Sequence, residues 1–184
     1  MSGFAGIIAR WRVRAGYVLA VAVLWFARPT LRSIALGAGI GLLGLLLRAY
    51  AAGYLHKQDV LTVGGPYAYT RNPLYLGSAI LALGTAVATH SWISAVLLLC
   101  YFAIVYSVVM RREEKELRGH HGRAFEEYVR AVPLFFPRLR AAKLADGGGS
   151  FSFAQYRKNH EHEAGLGYVL LLLILLLLWR WPLH

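Results

Sequence analysis

The chain has 184 residues, 58% of them hydrophobic and 16% charged, with a mean hydropathy of +0.48. That is too apolar for a water-soluble domain of this length and points to one integral membrane domain. Twenty Lys and Arg against nine Asp and Glu give a formal charge of +11; with no aromatic-basic motif beside it, this excess fits a membrane face next to anionic lipid and argues against nucleic acid as a partner. Cys100 is the only cysteine and lies in an apolar run, which excludes a disulfide framework and a cysteine zinc site.

The N-terminus is basic (Arg10, Arg12, Arg14) and runs into an apolar stretch without a small-residue cleavage site. This predicts a retained first span over about 8–27 rather than a signal peptide. Its charge-free part, 15–27, is short for a span, so the helix takes in earlier residues or its arginines snorkel. Arg28-Pro29 is the tight connection to a second span, 33–52. Residues 73–110 contain no Lys, Arg, Asp or Glu and are long enough for two spans, 73–89 and 91–110, split near Thr89-His90-Ser91. The fifth span, 164–181, is a leucine run ending in Trp179-Arg180-Trp181-Pro182, an interfacial aromatic belt.

The expected fold is therefore all-α: an integral membrane protein of five transmembrane helices, one domain over 1–184, with a cytoplasmic segment at 111–157 that follows the fourth span. With the N-terminus inside, 17 of the 20 Lys and Arg and every acidic residue fall on the inner side, leaving Arg28, Arg32 and Arg180 outside. The positive-inside rule favours this orientation, with the C-terminus on the opposite side. Residues 146–150 (DGGGS) read as a flexible linker before the last span. Two polar regions, 53–72 and 111–157, then share the cytoplasmic face, where any chemistry is expected.

The first of these leads into GGPYAYTRNPLYLGS, residues 64–78. Gly64-Gly65-Pro66 makes a tight turn. Pro73 disfavours the α conformation at Asn72, so Asn72 is expected to cap the third span and Pro73 to occupy its first turn. The helix N-terminus and Arg71 then suit an anionic group, while the tyrosines offer stacking surface and hydroxyls. The same residues also read as a capped helix with interfacial tyrosines and a snorkelling arginine.

The second region reads RREEKELRGHHGRAFEEYVRAVPLFFPR, residues 111–138. Residues 111–117 are expected to continue the fourth span out of the membrane, with Arg111–Glu114 and Arg112–Glu116 spaced for ion pairs. Glu113 and Glu114 lie about 100° apart around a helix and cannot both aim at one pocket. A charge run of this kind is commonly a solvated face. A turn is expected over 119–122, followed by an apolar edge at Phe125 and Tyr128 and by a surface-lying run, 132–137.

GPYAYTRNPLYLGS, then a helical hairpin, then REExxLxxxxG, a tyrosine and VPxFFP, resembles the isoprenylcysteine carboxyl methyltransferase family, whose wider relatives include phospholipid N-methyltransferases. The resemblance covers about residues 35–138. It implies S-adenosylmethionine as methyl donor, S-adenosylhomocysteine as product and a lipophilic or lipid-linked acceptor entering from the bilayer. It places Tyr67, Arg71, Asn72, Pro73, Tyr75 and Gly77 in a first cofactor motif. Glu113 and Glu114, with Arg112 beside them, match an acidic catalytic and cofactor-binding pair, and Tyr128, Val132, Pro133 and Pro137 match the closing segment. Many relatives carry His at the position of Asn72, so no proton transfer is assigned there.

The chemistry of the implied donor agrees with these residue types. Arg71 and the helix N-terminus suit its carboxylate, Glu113 or Glu114 its ammonium, and tyrosines with Phe135 or Phe136 its adenine or sulfonium. Transfer to a carboxylate needs placement and exclusion of water but no general base. Transfer to an amine needs a proton acceptor, for which a glutamate, His120 or His121 is available. The sequence leaves both open: a prenylcysteine-type carboxylate first, a phospholipid amine as alternative. An NADPH-dependent sterol-type reductase is disfavoured by the short chain, and a non-enzymatic scaffold predicts tolerance of Glu114→Gln and Arg71→Ala.

Three further runs carry less. Gly37-Ala38-Gly39-Ile40-Gly41 reads as a close-packing seam rather than a dinucleotide fingerprint, since no strand precedes it. His56-Lys57 is expected to end the second span as a cationic anchor, with a place at the edge of the pocket as the lesser reading. His160-Glu161-His162-Glu163 looks metal-like, but on a helix its spacing would separate the two histidines, so no metal is expected.

Overall fold

The computed structural model describes residues 2–56, 60–144 and 149–182, with side chains from Arg14 onward. Lys57, residues 146–148 of the glycine linker and the side chains of Arg10 and Arg12 lie outside the described residues. Among the described residues the fold is all helical: α1 (Ser2–Trp25), α2 (Leu31–Tyr54), α3 (Pro73–Thr89), α4 (Trp92–Tyr101), α5 (Ser107–Ala131), α6 (Phe153–Lys158) and α7 (His162–Arg180). A 3-10 turn, Gly65–Ala68, precedes α3, and a π-helical segment, Phe102–Tyr106, links α4 to α5.

Three helical runs are long and apolar enough to cross a membrane: Leu31–Tyr54, Trp92–Ala131 and His162–Arg180. The other two expected spans correspond to α1, apolar over Arg14–Trp25 where its side chains are described, and to the apolar helix Pro73–Thr89. Val18, Leu43, Leu99 and Leu170 are each more than half exposed. Apolar area on this scale is stable against lipid and unfavourable against water.

The chain divides into two compact units. The first comprises Met1–Leu43, Ala79–Arg111 and Gly167–His184. Its helices approach closely because glycines leave room. A β-carbon on Gly37 would lie 2.5 Å from the Gly84 carbonyl oxygen, and one on Gly41 would lie 2.1 Å from the Tyr168 hydroxyl. That hydroxyl donates to the Gly37 carbonyl at 2.8 Å, so the glycine run of α2 is a packing seam against α3 and α7. The corner between α3 and α4 falls at the expected tripeptide: α3 ends at Thr89, His90 takes φ 49°, and Ser91 caps α4 by accepting from the Ser94 N–H. The Ser94 hydroxyl in turn donates to the Val23 carbonyl of α1 at 2.9 Å.

The second unit comprises Gly44–Ser78 and Arg112–Leu166. Here α5 stays helical through Gly119 and breaks at Gly122, with φ 47° and ψ −117°. The turn expected over 119–122 is thus a single residue, at a backbone conformation that glycine reaches without steric cost. Beyond it, Phe125, Tyr128 and Val132 pack with Val63 into a small core. α2 ends at Tyr54, two residues before His56, rather than at His56-Lys57. Its last carbonyls are taken by amides from around α6: Asn159 Nδ2 donates to Ala52 at 2.9 Å and to Leu55 at 3.0 Å, and Gln155 Nε2 also donates to Leu55. Arg48, on α2, bonds the Ser78 hydroxyl on α3 and the buried Glu161 carboxylate just before α7.

Candidate functional site

The site grows out of the turn at 64–78. Gly65 has φ 57°, and a β-carbon there would lie 2.6 Å from the Tyr54 ring. The chain then runs through the 3-10 turn, burying Tyr67 and Ala68. From there to α3 it is stitched to a distant segment. The Arg71 N–H donates to the Pro133 carbonyl at 2.9 Å, the Arg138 N–H to Tyr69 at 3.0 Å and the Ala142 N–H to Ala68 at 3.0 Å. The Thr70 hydroxyl reaches the Phe135 carbonyl at 2.8 Å.

Arg71 is the centre of this stitching. Its Nε and Nη2 bond Oε1 of Glu114 at 2.7 and 2.6 Å, and its Nη1 donates to the carbonyls of Val129 and Val132 at 3.1 and 2.6 Å. One turn on, the Tyr75 hydroxyl donates to Oε1 of Glu113 at 2.6 Å. The two glutamates therefore serve different partners, as their divergence around α5 requires.

Beside this network opens a cleft of about 360 Å³, lined by Leu55, His56, Val60, Leu61, Thr62, Tyr67, Arg71, Glu113, Glu116, Leu117, His120, His121 and Tyr128. Its volume is in the range of small-molecule sites, which run from roughly 300 to 1,000 Å³. The Tyr128 hydroxyl donates to the Tyr67 carbonyl at 2.8 Å and fixes that wall. Two buried polar atoms on the lining, the Tyr67 hydroxyl and Nε2 of His121, have no hydrogen-bond partner among the described residues. Burial, followed by the neighbouring Tyr128 and Glu113, pushes the Tyr67 hydroxyl above the ordinary tyrosine range, so it stays a neutral donor. A buried donor without a protein partner in a cleft is a vacancy that a ligand acceptor can fill.

The residues singled out in the sequence separate into three groups. Tyr67, Arg71, Glu113 and Tyr128 line the cleft. Glu114, Asn72, Val132 and Pro133 stand behind it: Glu114 and the Val132 and Pro133 carbonyls hold Arg71, and Asn72 Nδ2 donates to the Leu134 carbonyl at 3.0 Å. Asn72 gives α3 its first backbone bond, from the Leu76 N–H, while its side chain ties the turn to the later segment. Tyr75 reaches the site through Glu113, and Pro73 opens α3.

Others lie elsewhere. A β-carbon on Gly77 would meet Arg48 Cγ at 2.6 Å and the Gly44 carbonyl at 2.8 Å, so Gly77 serves helix packing. Arg112 is more than half exposed, pairs with Glu116 at 3.0 Å and is not on the cleft lining. Phe135 and Phe136 meet edge to face at 5.4 Å, also away from the lining. Sequence reasoning passed over Leu55, Val60, Leu61, Thr62, Glu116 and Leu117 as site residues. A signal existed for two of them: Glu113, Glu116, Leu117, His120 and His121 follow the i, i+3, i+4, i+7, i+8 spacing of one helix face.

Comparison with known proteins gives three relatives. A cobalt-zinc-cadmium resistance protein, CzcN, of Cupriavidus metallidurans is 34% identical over 141 residues, covering 72% of this chain and 64% of that protein. A nickel-cobalt-cadmium resistance protein, NccN, of Alcaligenes xylosoxydans is 34% identical over 106 residues, covering 54% of this chain and 49% of its own length. A protein-S-isoprenylcysteine O-methyltransferase of Schizosaccharomyces pombe is 33% identical over 84 residues, covering 46% of this chain and 36% of the enzyme. The chain thus spans less than two thirds of each of these relatives. No solved structure matches it significantly. The phospholipid methyltransferase family profile matches residues 11–124, which takes in the turn, the glutamate pair and the face of α5 that borders the cleft, and the chain belongs to that family.

Proposed function

We propose that this chain is an integral membrane methyltransferase that uses S-adenosylmethionine and methylates a lipophilic acceptor, with a prenylcysteine-type carboxylate as the first candidate. The observation that carries this reading is the cleft where the 64–78 turn meets α5, with Tyr67, Arg71 and Glu113 on its wall. The residues fit the donor molecule. Glu113 and Glu116 offer carboxylates for its ammonium, the Tyr67 hydroxyl, without a partner among the described residues, offers a hydrogen bond to an acceptor atom, and Leu55, Val60, Leu61 and Leu117 offer apolar cover for a nucleoside. When bound, the donor supplies an electrophilic methyl group on a sulfonium.

The chain's own residues then bind, orient and exclude water. Arg71 acts mainly as a clamp, because Glu114 and two carbonyls already hold its guanidinium. Glu113 is oriented by the Tyr75 hydroxyl. A carboxylate acceptor asks for no proton removal, so placement and a dry site suffice.

The carboxylate acceptor is taken from the isoprenylcysteine methyltransferase relative, since the two metal-resistance relatives are named for a trait rather than a reaction. A lipid amine is the second reading. It is favoured by His121, an imidazole on the cleft wall whose Nε2 has no hydrogen-bond partner among the described residues. We further propose five spans, adding α1 and α3 to the three long runs, with the N-terminus and cleft cytoplasmic and the C-terminus opposite, on the strength of the Lys and Arg distribution.

Calorimetry of the purified chain in nanodiscs should show S-adenosylhomocysteine binding that Glu113→Gln weakens without loss of fold; a scaffold would show none. Incubation of membranes with labelled methyl donor, followed by product identification, separates a methyl ester from a methylated amine. No binding and no labelled lipid would remove the assignment.

A further inference from the structure

Residues 160–163 read HEHE, and on a continuous helix the two histidines would point to different faces. The chain is not helical across them. His160 lies in the turn between α6 and α7 with φ 54°, in the left-handed region that non-glycine residues rarely adopt. Its N–H donates to the Arg157 carbonyl at 3.0 Å, and its own carbonyl accepts from the Glu163 N–H at 3.1 Å, which holds the turn and starts α7 at His162.

This turn sorts the four side chains. Glu161 goes inward, 7% exposed, onto Arg48. His160, His162 and Glu163 stay exposed and converge. Nδ1 of His160 is 3.4 Å from Oε1 of Glu163, and the two imidazole centroids are 6.0 Å apart. One ligand atom from each of the three residues lies within 4.8 Å of the others.

We propose that His160, His162 and Glu163 form a three-ligand site for a divalent transition-metal ion of the zinc, cobalt or nickel class. Two imidazoles and one carboxylate suit these borderline ions and leave positions open for water. Metal–ligand bonds of about 2.0–2.2 Å around a tetrahedral ion set neighbouring ligand atoms roughly 3.4 Å apart. The His160–Glu163 pair already has that separation. The exposed His162 ring closes the remaining gap, on the order of 1 Å, by side-chain rotation. An ion held there fixes the start of α7 to the turn after α6, beside the Glu161–Arg48 pair that ties the same turn to α2 and α3. None of the three ligands lines the cleft, so the site stands or falls independently of the methyltransferase reading.

The test is titration of the chelator-treated full chain, without an affinity tag, with Co²⁺ in detergent, reading visible d–d absorption, and then displacement by Zn²⁺. One Co²⁺ per chain is expected, with low-symmetry bands that Zn²⁺ abolishes. His160→Asn, which keeps a residue tolerant of the left-handed backbone, and His162→Gln should each weaken binding at least tenfold. Glu163→Gln should weaken it and alter the bands, and His90→Asn should leave it unchanged. Circular dichroism confirms that each variant folds. Absence of Co²⁺ absorption, or affinity unchanged in the folded His160→Asn/His162→Gln double variant, overturns the site.

Discussion

One oxygen of Glu114 receives both Nε and Nη2 of Arg71, at 2.7 and 2.6 Å, while the remaining nitrogen of the same guanidinium reaches two carbonyls near the end of α5. The side chains are only 10% and 18% exposed, so each charge has little water to fall back on. Arg71→Ala or Glu114→Gln should therefore lower stability by about 3 kcal/mol, since a mostly buried charge is left without its partner. Chemical denaturation in detergent measures this. The Arg71→Ala/Glu114→Ala double variant should lose less than the sum of the two single alanine variants.

Glu113 makes the opposite case. Its bond to the Tyr75 hydroxyl spans two helices at the cleft, and its carboxylate is on the lining. Glu113→Gln should leave the melting temperature nearly unchanged while weakening S-adenosylhomocysteine binding by about 2 kcal/mol, the scale of a charge-assisted hydrogen bond. Paired calorimetry and thermal melts separate the two effects.

Tyr67→Phe removes a buried hydroxyl that no group among the described residues satisfies. The folded chain should gain stability by up to about 1 kcal/mol, because a desolvated donor without a partner opposes folding. Binding of S-adenosylhomocysteine should weaken in the same variant. A hydroxyl serving only the fold would move the two measurements in the same direction.

The same residue predicts a pH dependence. Burial raises the Tyr67 hydroxyl above its unfolded value. Above the ordinary tyrosine pKa of about 10, the unfolded chain releases this proton while the folded chain keeps it. The folded state then binds more protons, so its stability is intact below pH ~10 and falls with further rise, by up to about 1.4 kcal/mol per pH unit for this one group. Melting profiles between about pH 9 and 11 should decline less steeply in Tyr67→Phe than in the parent chain.

Gly41→Ala tests the packing seam. Its methyl group would meet the Tyr168 hydroxyl at 2.1 Å. Overpacking of this kind should destabilise by about 1–3 kcal/mol. Tyr168→Leu introduced into Gly41→Ala should restore part of the loss, measured by thermal unfolding in detergent.

Much of the architecture was legible because apolar runs and punctuation are local signals. Thr89-His90-Ser91 marks its corner with a serine cap, and the glycines of α2 mark a close approach. The nearness of the 64–78 turn to Glu113 and Glu114 was legible as well, but through family resemblance rather than through periodicity. The partners of Arg71 were not. Two of its partners are backbone carbonyls at Val129 and Val132, which leave no trace in residue identity. Glu116 was assigned to Arg112 from spacing alone, and it does pair with Arg112 while also bordering the cleft. The HEHE run reads as helical in the sequence, whereas His160 adopts a left-handed turn, a backbone choice that residue identity does not announce.

The amides of Gln155 and Asn159 on the Ala52 and Leu55 carbonyls have an electrostatic consequence. The C-terminal end of a helix carries about half a negative charge on its orphan carbonyls. Here that pole sits at Leu55 and His56, on the rim of a cleft that already holds the carboxylates of Glu113 and Glu116. By donating to those carbonyls, the two amides offset part of that partial charge, which leaves the acidic side chains to set the field in the cleft and to draw in a zwitterion by its cationic end.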